Sequence, residues 1–140
     1  MEYQSFDYPL IIKEHHLDTF GHVNNATYLE LLEEARWEFI SLRGFDLAYI
    51  QKHGIGPTIV EFHLKFFKEL RLRQKIIIRT QNISYEKKIG KLRQIILNEN
   101  GETCFEAIMT YGLFDTKERK LVLPTKEWLH AIGFNENGSI

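Results

Sequence analysis

The hydrophobic period of this 140-residue chain changes once, and that change limits the folds open to it. Between Asn25 and Arg43, Tyr28, Leu31, Leu32, Ala35, Phe39 and Leu42 recur at helical spacing and make one apolar stripe. Gly44 follows, suited to a helix stop. After Gly56 the period becomes two. In TIVEFHLKFF, Val60, Phe62, Leu64 and Phe66 alternate with Glu61, His63 and Lys65, which is the pattern of a half-buried strand. The β-branched runs KIIIRTQNISYE and GKLRQIILNEN read as two more strands. Asn100-Gly101 is a strong hairpin turn, and TCFEAIMTYGLFD pairs back as another long strand. A first strand is expected around Phe6 to Glu14. FDLAYIQKHG reads as a short helical piece ending at Gly54, TKERK as a polar loop, and TKEWLHAIGF as a short amphipathic helix.

One long helix cannot cover both faces of a five-stranded sheet. The expected solution is an α+β fold in which a curved antiparallel five-stranded sheet wraps around that helix. Residues 1–140 carry no Pro/Ser/Gly-rich linker, low-complexity tract or repeat, so a single domain is expected, with a polar tail, GFNENGSI, that frays. The uncovered sheet edge and remaining apolar surface favour a homodimer with a continuous sheet, with dimers pairing into a homotetramer.

Composition narrows the function classes. Hydrophobic residues at 44% and charged residues at 26% describe a chain able to bury a core, not a disordered one. The formal net charge of -1 gives no bulk attraction to nucleic acid. No apolar run is long enough to span a bilayer, and MEYQSFDYPL lacks the basic patch and apolar run of a secretory leader. With a single cysteine, Cys104, no internal disulfide is available, and a reducing, cytoplasmic setting is expected. Cys104 falls in a strand and reads as a buried structural thiol. His15 and His16 are adjacent on what reads as a strand, where they would point to opposite faces and could not share one ion. The chain shows no H-E-x-x-H, paired C-x-x-C, phosphate-binding loop or G-x-G-x-x-G, so neither metal nor cofactor is called for.

The stretch DTFGHVNNATY, from Asp18 to Tyr28, concentrates a carboxylate, a glycine, a histidine and two asparagines at the start of the long helix. As a helix cap it explains one of Asn24 and Asn25. With LELLEEAR it closely resembles the signature of hotdog-fold acyl-CoA thioesterases of the 4-hydroxybenzoyl-CoA thioesterase type. Those proteins carry an Asp, a G-H-V-N-N-like run, a Tyr, and then Glu and Ala-Arg on the helix. The order of one strand, one helix and four strands and the late Leu123-Pro124 also match, so the resemblance spans nearly the whole chain. One departure stands at FFKELRLRQK, where such proteins often carry a proline and an acidic residue; this bears on the entrance for the CoA moiety.

The resemblance implies hydrolysis of an acyl-CoA to a carboxylic acid and CoA, with an acyl-carrier-protein thioester as the other substrate and partner to consider. It makes Asp18 the nucleophile or general base, and Asn25 the residue whose backbone N–H polarises the thioester carbonyl. It also implies that Glu33 positions water or substrate from the helix flank. Gly21, His22, Val23 and Tyr28 would then line the substrate. The chemistry fits physically. Thioester hydrolysis needs a base or nucleophile and a holder for the oxyanion, and a helix N-terminus offers unpaired N–H groups and a positive dipole end.

Plainer readings stand beside these. Asp18 satisfies loop N–H groups, Tyr28 is core, and Glu33 is a solvated partner of Arg36. His22 orients the loop by a hydrogen bond instead of moving protons. Lys68, Arg71, Arg73, Lys87 and Lys88 suit CoA phosphates at strand ends, or are ordinary surface charge. A hydroxyacyl dehydratase on the same fold would want a histidine in an H-F-P-type loop, which GHVNN matches poorly. A non-catalytic acyl-thioester binding module would leave Asp18 without work.

Overall fold

The structure, a computed structural model, describes residues 2–135; of the tail GFNENGSI, expected to fray, Phe134–Asn135 instead form a strand, and residues 136–140 lie outside the described ones. The long helix, α1, runs Asn25–Leu42. It lies on one face of a wholly antiparallel sheet built from β2 (Phe6–Ile11), β4 (Lys75–Glu86), β5 (Ile89–Leu97), β6 (Thr103–Asp115) and β3 (Ile55–Phe66), in that spatial order. These are the five expected strands. A short sixth, β7 (Lys120–Val122), pairs with the end of β6 beyond the reach of β5. The expected TKERK loop is therefore shorter than its polarity suggested. A separate two-stranded ribbon joins β1 (Glu2–Tyr3) to β8 (Phe134–Asn135). Helices α2 (Leu47–His53) and α3 (Lys126–Ala131) are the two expected short pieces, and α2 ends at Gly54 in the left-handed region.

The core forms where the α1 stripe meets the sheet. Tyr28, Leu31, Leu32 and Ala35 pack with Ile76 and Ile78 of β4, Ile96 of β5, and Phe105 and Ala107 of β6. Each such large side chain contributes roughly 1.5–3 kcal/mol by leaving water. The stripe departs from expectation at one end: Leu42 is 68% exposed, and Ile40 is buried in its place. At this end of α1 Ile40 joins a second cluster, with Leu92, Met109 and Tyr111 of the sheet and Trp128 and Ala131 of α3. Cys104 is buried, and that burial pushes its thiol pKa up, as an inert structural thiol requires.

Two local expectations are corrected. The first strand stops at Ile11, and Glu14–His16 form a 3₁₀ turn. There the His16 Nδ1 accepts the Lys13 N–H at 2.9 Å, and the Lys13 carbonyl accepts the His16 N–H. The His15 and His16 rings thus lie 4.1 Å apart between centroids, not on opposite strand faces. In β3 the alternation breaks at a register shift between Ile59 and Glu61, which turns Val60 out to solvent. A bulge on an edge strand is the physical reason. Among the described residues no helix is long and apolar enough to cross a membrane.

Candidate active site at the start of the long helix

Asp18 organises the loop that leads into α1. Its Oδ1 accepts the backbone N–H groups of Phe20 at 2.9 Å and His22 at 3.2 Å. The Asp18 N–H donates to the His22 carbonyl, and the Gly21 N–H to the Asp18 carbonyl. A bridge between Leu17 and Val23 closes the base of this loop. Gly21 sits at φ +80°, and a Cβ there would meet nothing within 4 Å. Its role is therefore the turn itself and not a close approach. Val23 is buried in the core and anchors the loop against α1.

The helix begins immediately afterwards. Asn24 is the N-cap, with extended backbone, and its Oδ1 accepts the Ala26 N–H at 2.9 Å. Asn25 Oδ1 accepts the same N–H at 3.0 Å. The N–H of Asn25 lies in the first turn, where the helix supplies no acceptor, and among the described residues none is found for it. The loop that runs into this open helix N-terminus thus presents a carboxylate with Oδ1 doubly occupied and, among the described residues, Oδ2 unbonded.

The other site expectations separate spatially. The His22 Nε2 reaches Glu69 Oε1 at 3.3 Å, an exposed pair that draws the ring toward the segment before β4. Tyr28 is core: its ring stacks on Phe105 at 4.7 Å and meets Phe66 edge-on at 5.1 Å, and burial raises its phenol pKa. Glu33 is exposed and lies eight residues past Asn25, about 12 Å along the helix at 1.5 Å per residue. Within one protomer it is not brought to Asp18. Of the basic candidates for CoA phosphates, Lys68 pairs with Glu102 and Arg73 with Glu14, while Lys87 and Lys88 form the β4–β5 turn. Among the described residues no three His, Cys, Asp or Glu side chains are grouped to hold a metal.

Glu33 instead lines a cavity of about 110 Å³ between the second half of α1 and the sheet. Its walls are mostly apolar, with Phe39, Ile40, Leu92 and Met109 among them. A polar network lies along one side. Arg36 Nη1 donates to Gln94 Oε1 at 3.0 Å, and Gln94 Nε2 donates to the Leu32 carbonyl and to Thr80 Oγ1. Asn82 Nδ2 donates to the Ile132 carbonyl, and the Tyr111 hydroxyl donates to Asn82 Oδ1. Arg36 was named in the sequence only as a partner of Glu33, and none of the strand residues of this network was singled out, yet a signal is there. Thr80 and Asn82 share parity with Ile76 and Ile78, so β4 carries polar residues on its buried face.

A curved antiparallel sheet wrapped on one long helix, with a carboxylate loop at the helix start, defines the hotdog class of α+β protein. Comparison with known proteins agrees. Residues 13–132 match the profile of the thioesterase-like superfamily. The long-chain acyl-CoA thioesterase FadM of Escherichia coli is 32% identical over 110 residues, covering 78% of this chain and 83% of that protein. The crystal structure of YbaW from Escherichia coli superposes with a TM-score of 0.77 at 29% identity, covering 89% of this chain and 94% of that one. SAV2348 of Staphylococcus aureus, solved in complex with CoA, has a TM-score of 0.85 at 17% identity, covering 94% and 84%; at that identity it speaks for the fold alone. The chain belongs to the thioesterase-like superfamily and is a thioester hydrolase.

Proposed function

We propose that the chain hydrolyses acyl-CoA thioesters to a carboxylic acid and free CoA, with Asp18 as general base or nucleophile. The observation that carries this is the loop geometry: Oδ1 of Asp18 is fixed by two backbone N–H groups, and Oδ2 is left open in the loop that leads into α1. The carboxylate is thereby oriented without a side-chain partner, as a reacting group must be. The open N–H of Asn25 and the positive end of α1 would polarise the thioester carbonyl and hold the oxyanion. The similarity to a long-chain acyl-CoA thioesterase supports CoA as the carrier of the thioester.

The working unit in this reading is a homodimer. Among the described residues strand β3 has a neighbour on its β6 side alone, and it exposes Ile59, Val60 and Phe66. Pairing two such edges would continue the sheet and cover apolar surface.

The test is release of free thiol from short, long and aromatic acyl-CoAs by the purified protein. Turnover of at least one is expected. Turnover of none, with hydrolysis of acyl-carrier-protein thioesters, would replace CoA with the carrier protein as substrate. Inertness towards both would leave a binding module.

A further inference from the structure

Arg36 is the charged member of the cavity network, and most of its bonding capacity is left over. A guanidinium carries five N–H donors in a fixed fork. Among the described residues only the bond to Gln94 is formed, and no carboxylate lies within ion-pair distance. Among the same residues no buried side-chain nitrogen or oxygen lacks a partner. The unused nitrogens of Arg36 are therefore not sealed in the core, and the residue lines the cavity. The guanidinium lies over the Phe62 ring, its carbon 5.5 Å from the centroid, so the fork is held between that ring and Gln94. Burial lowers its pKa to about 10. A charge kept in a mostly apolar cavity costs stability unless something uses it.

Asn82 and Tyr111 satisfy each other, and Gln94 is spent on Leu32 and Thr80. The charged groups on the cavity wall that can meet a ligand are the donors of Arg36 and the carboxylate of Glu33. One donor and one acceptor suit a hydroxyl, which accepts from Arg36 and donates to Glu33. A carboxylate tail would set its charge against Glu33. A methyl terminus would leave the Arg36 donors unmet.

Arg36 lies eleven residues past Asn25, about 16 Å along the helix axis. An oxygen beside the thioester would not reach it within a protomer, whereas one near the far end of a long chain would. Resting on the acyl-thioesterase reading above, we propose that this cavity selects long acyl groups bearing a hydroxyl near the chain end, with Arg36 as the specificity-determining residue.

The experiment compares palmitoyl-CoA, ω-hydroxypalmitoyl-CoA and β-hydroxypalmitoyl-CoA with wild type, Arg36→Met and Arg36→Lys. Wild type is expected to favour the ω-hydroxy substrate by about tenfold or more in kcat/KM, because a site built to bond a hydroxyl rejects the analogue without it. The preference should collapse in Arg36→Met, which keeps the stem without the donors, and return in part in Arg36→Lys. Equal rates on palmitoyl and ω-hydroxypalmitoyl substrates, or a preference that survives in Arg36→Met, would overturn the proposal. Calorimetric binding of free ω-hydroxypalmitate against palmitate to wild type reads the cavity without hydrolysis. If no thioester is turned over but ω-hydroxypalmitate binds about tenfold more tightly, the catalytic reading fails and the cavity proposal stands. If the two acids bind alike, the cavity proposal fails by itself.

Discussion

Asp18 and His22 bond each other twice through the backbone side of the loop: the His22 N–H reaches Asp18 Oδ1 at 3.2 Å, and the Asp18 N–H reaches the His22 carbonyl at 2.8 Å. The ring of His22 takes no part and turns to Glu69 instead. Four residues of loop are thereby locked by main-chain contacts, with the carboxylate as their hub. A rigid loop of this kind can hold one carboxylate oxygen in place while leaving the other open.

The turn inside that lock depends on Gly21. At φ +80° an L side chain is strained even though the space beyond is open. Gly21→Ala is expected to fold, to lose about 1 kcal/mol of stability, and to lower turnover by shifting the Asp18 carboxylate. Thermal melting and kcat measured on the same preparation check both parts. Unchanged values for both would show that the loop tolerates another path.

Tyr111 and Asn82 form a second pair that can be tested separately. Both are buried, and the phenol donates to Asn82 Oδ1. Tyr111→Phe keeps the ring packing and leaves that oxygen without its donor, at a cost of about 1–3 kcal/mol. Urea unfolding should show a lower midpoint with an unchanged slope.

His16 makes stability depend on pH in a defined direction. Burial holds its pKa below the ordinary 6.5, with the neighbouring His15 adding to the shift. The unfolded chain therefore binds the proton more readily than the folded one, and stability falls as pH drops below 6.5 towards the folded pKa. Protonation would also remove the acceptor for the Lys13 N–H. His16→Gln, whose amide oxygen can replace Nδ1 as acceptor, should flatten this part of the melting-temperature profile. An unchanged slope would assign it to other groups.

The helix and strands were legible because their apolar residues sit in phase, as in Tyr28 to Phe39 and in Ile76 and Ile78. Leu42 misled because periodicity says which residues share a face, not where along the helix the packing ends. Val60 misled because a bulge shifts the phase without any mark in composition. The loop at Asp18 was legible as a concentration of polar groups, but its hydrogen bonds were not, since they depend on backbone turns at Gly21. Arg36 was hidden for another reason. On a helix flank beside Glu33 and Trp37 it looks solvated, and only the sheet behind it, with Gln94 fully buried, shows that it faces inward.

Asp18→Asn is the most direct measurement. An amide oxygen can still accept the Phe20 and His22 N–H groups, so the loop should keep its shape while losing its base or nucleophile. Thiol release from the best acyl-CoA substrate, measured beside wild type, should show kcat reduced by at least about a hundredfold, with melting temperature and substrate affinity close to wild type. A folded Asp18→Asn protein with near-wild-type kcat would contradict the central claim and move the chemistry to another residue.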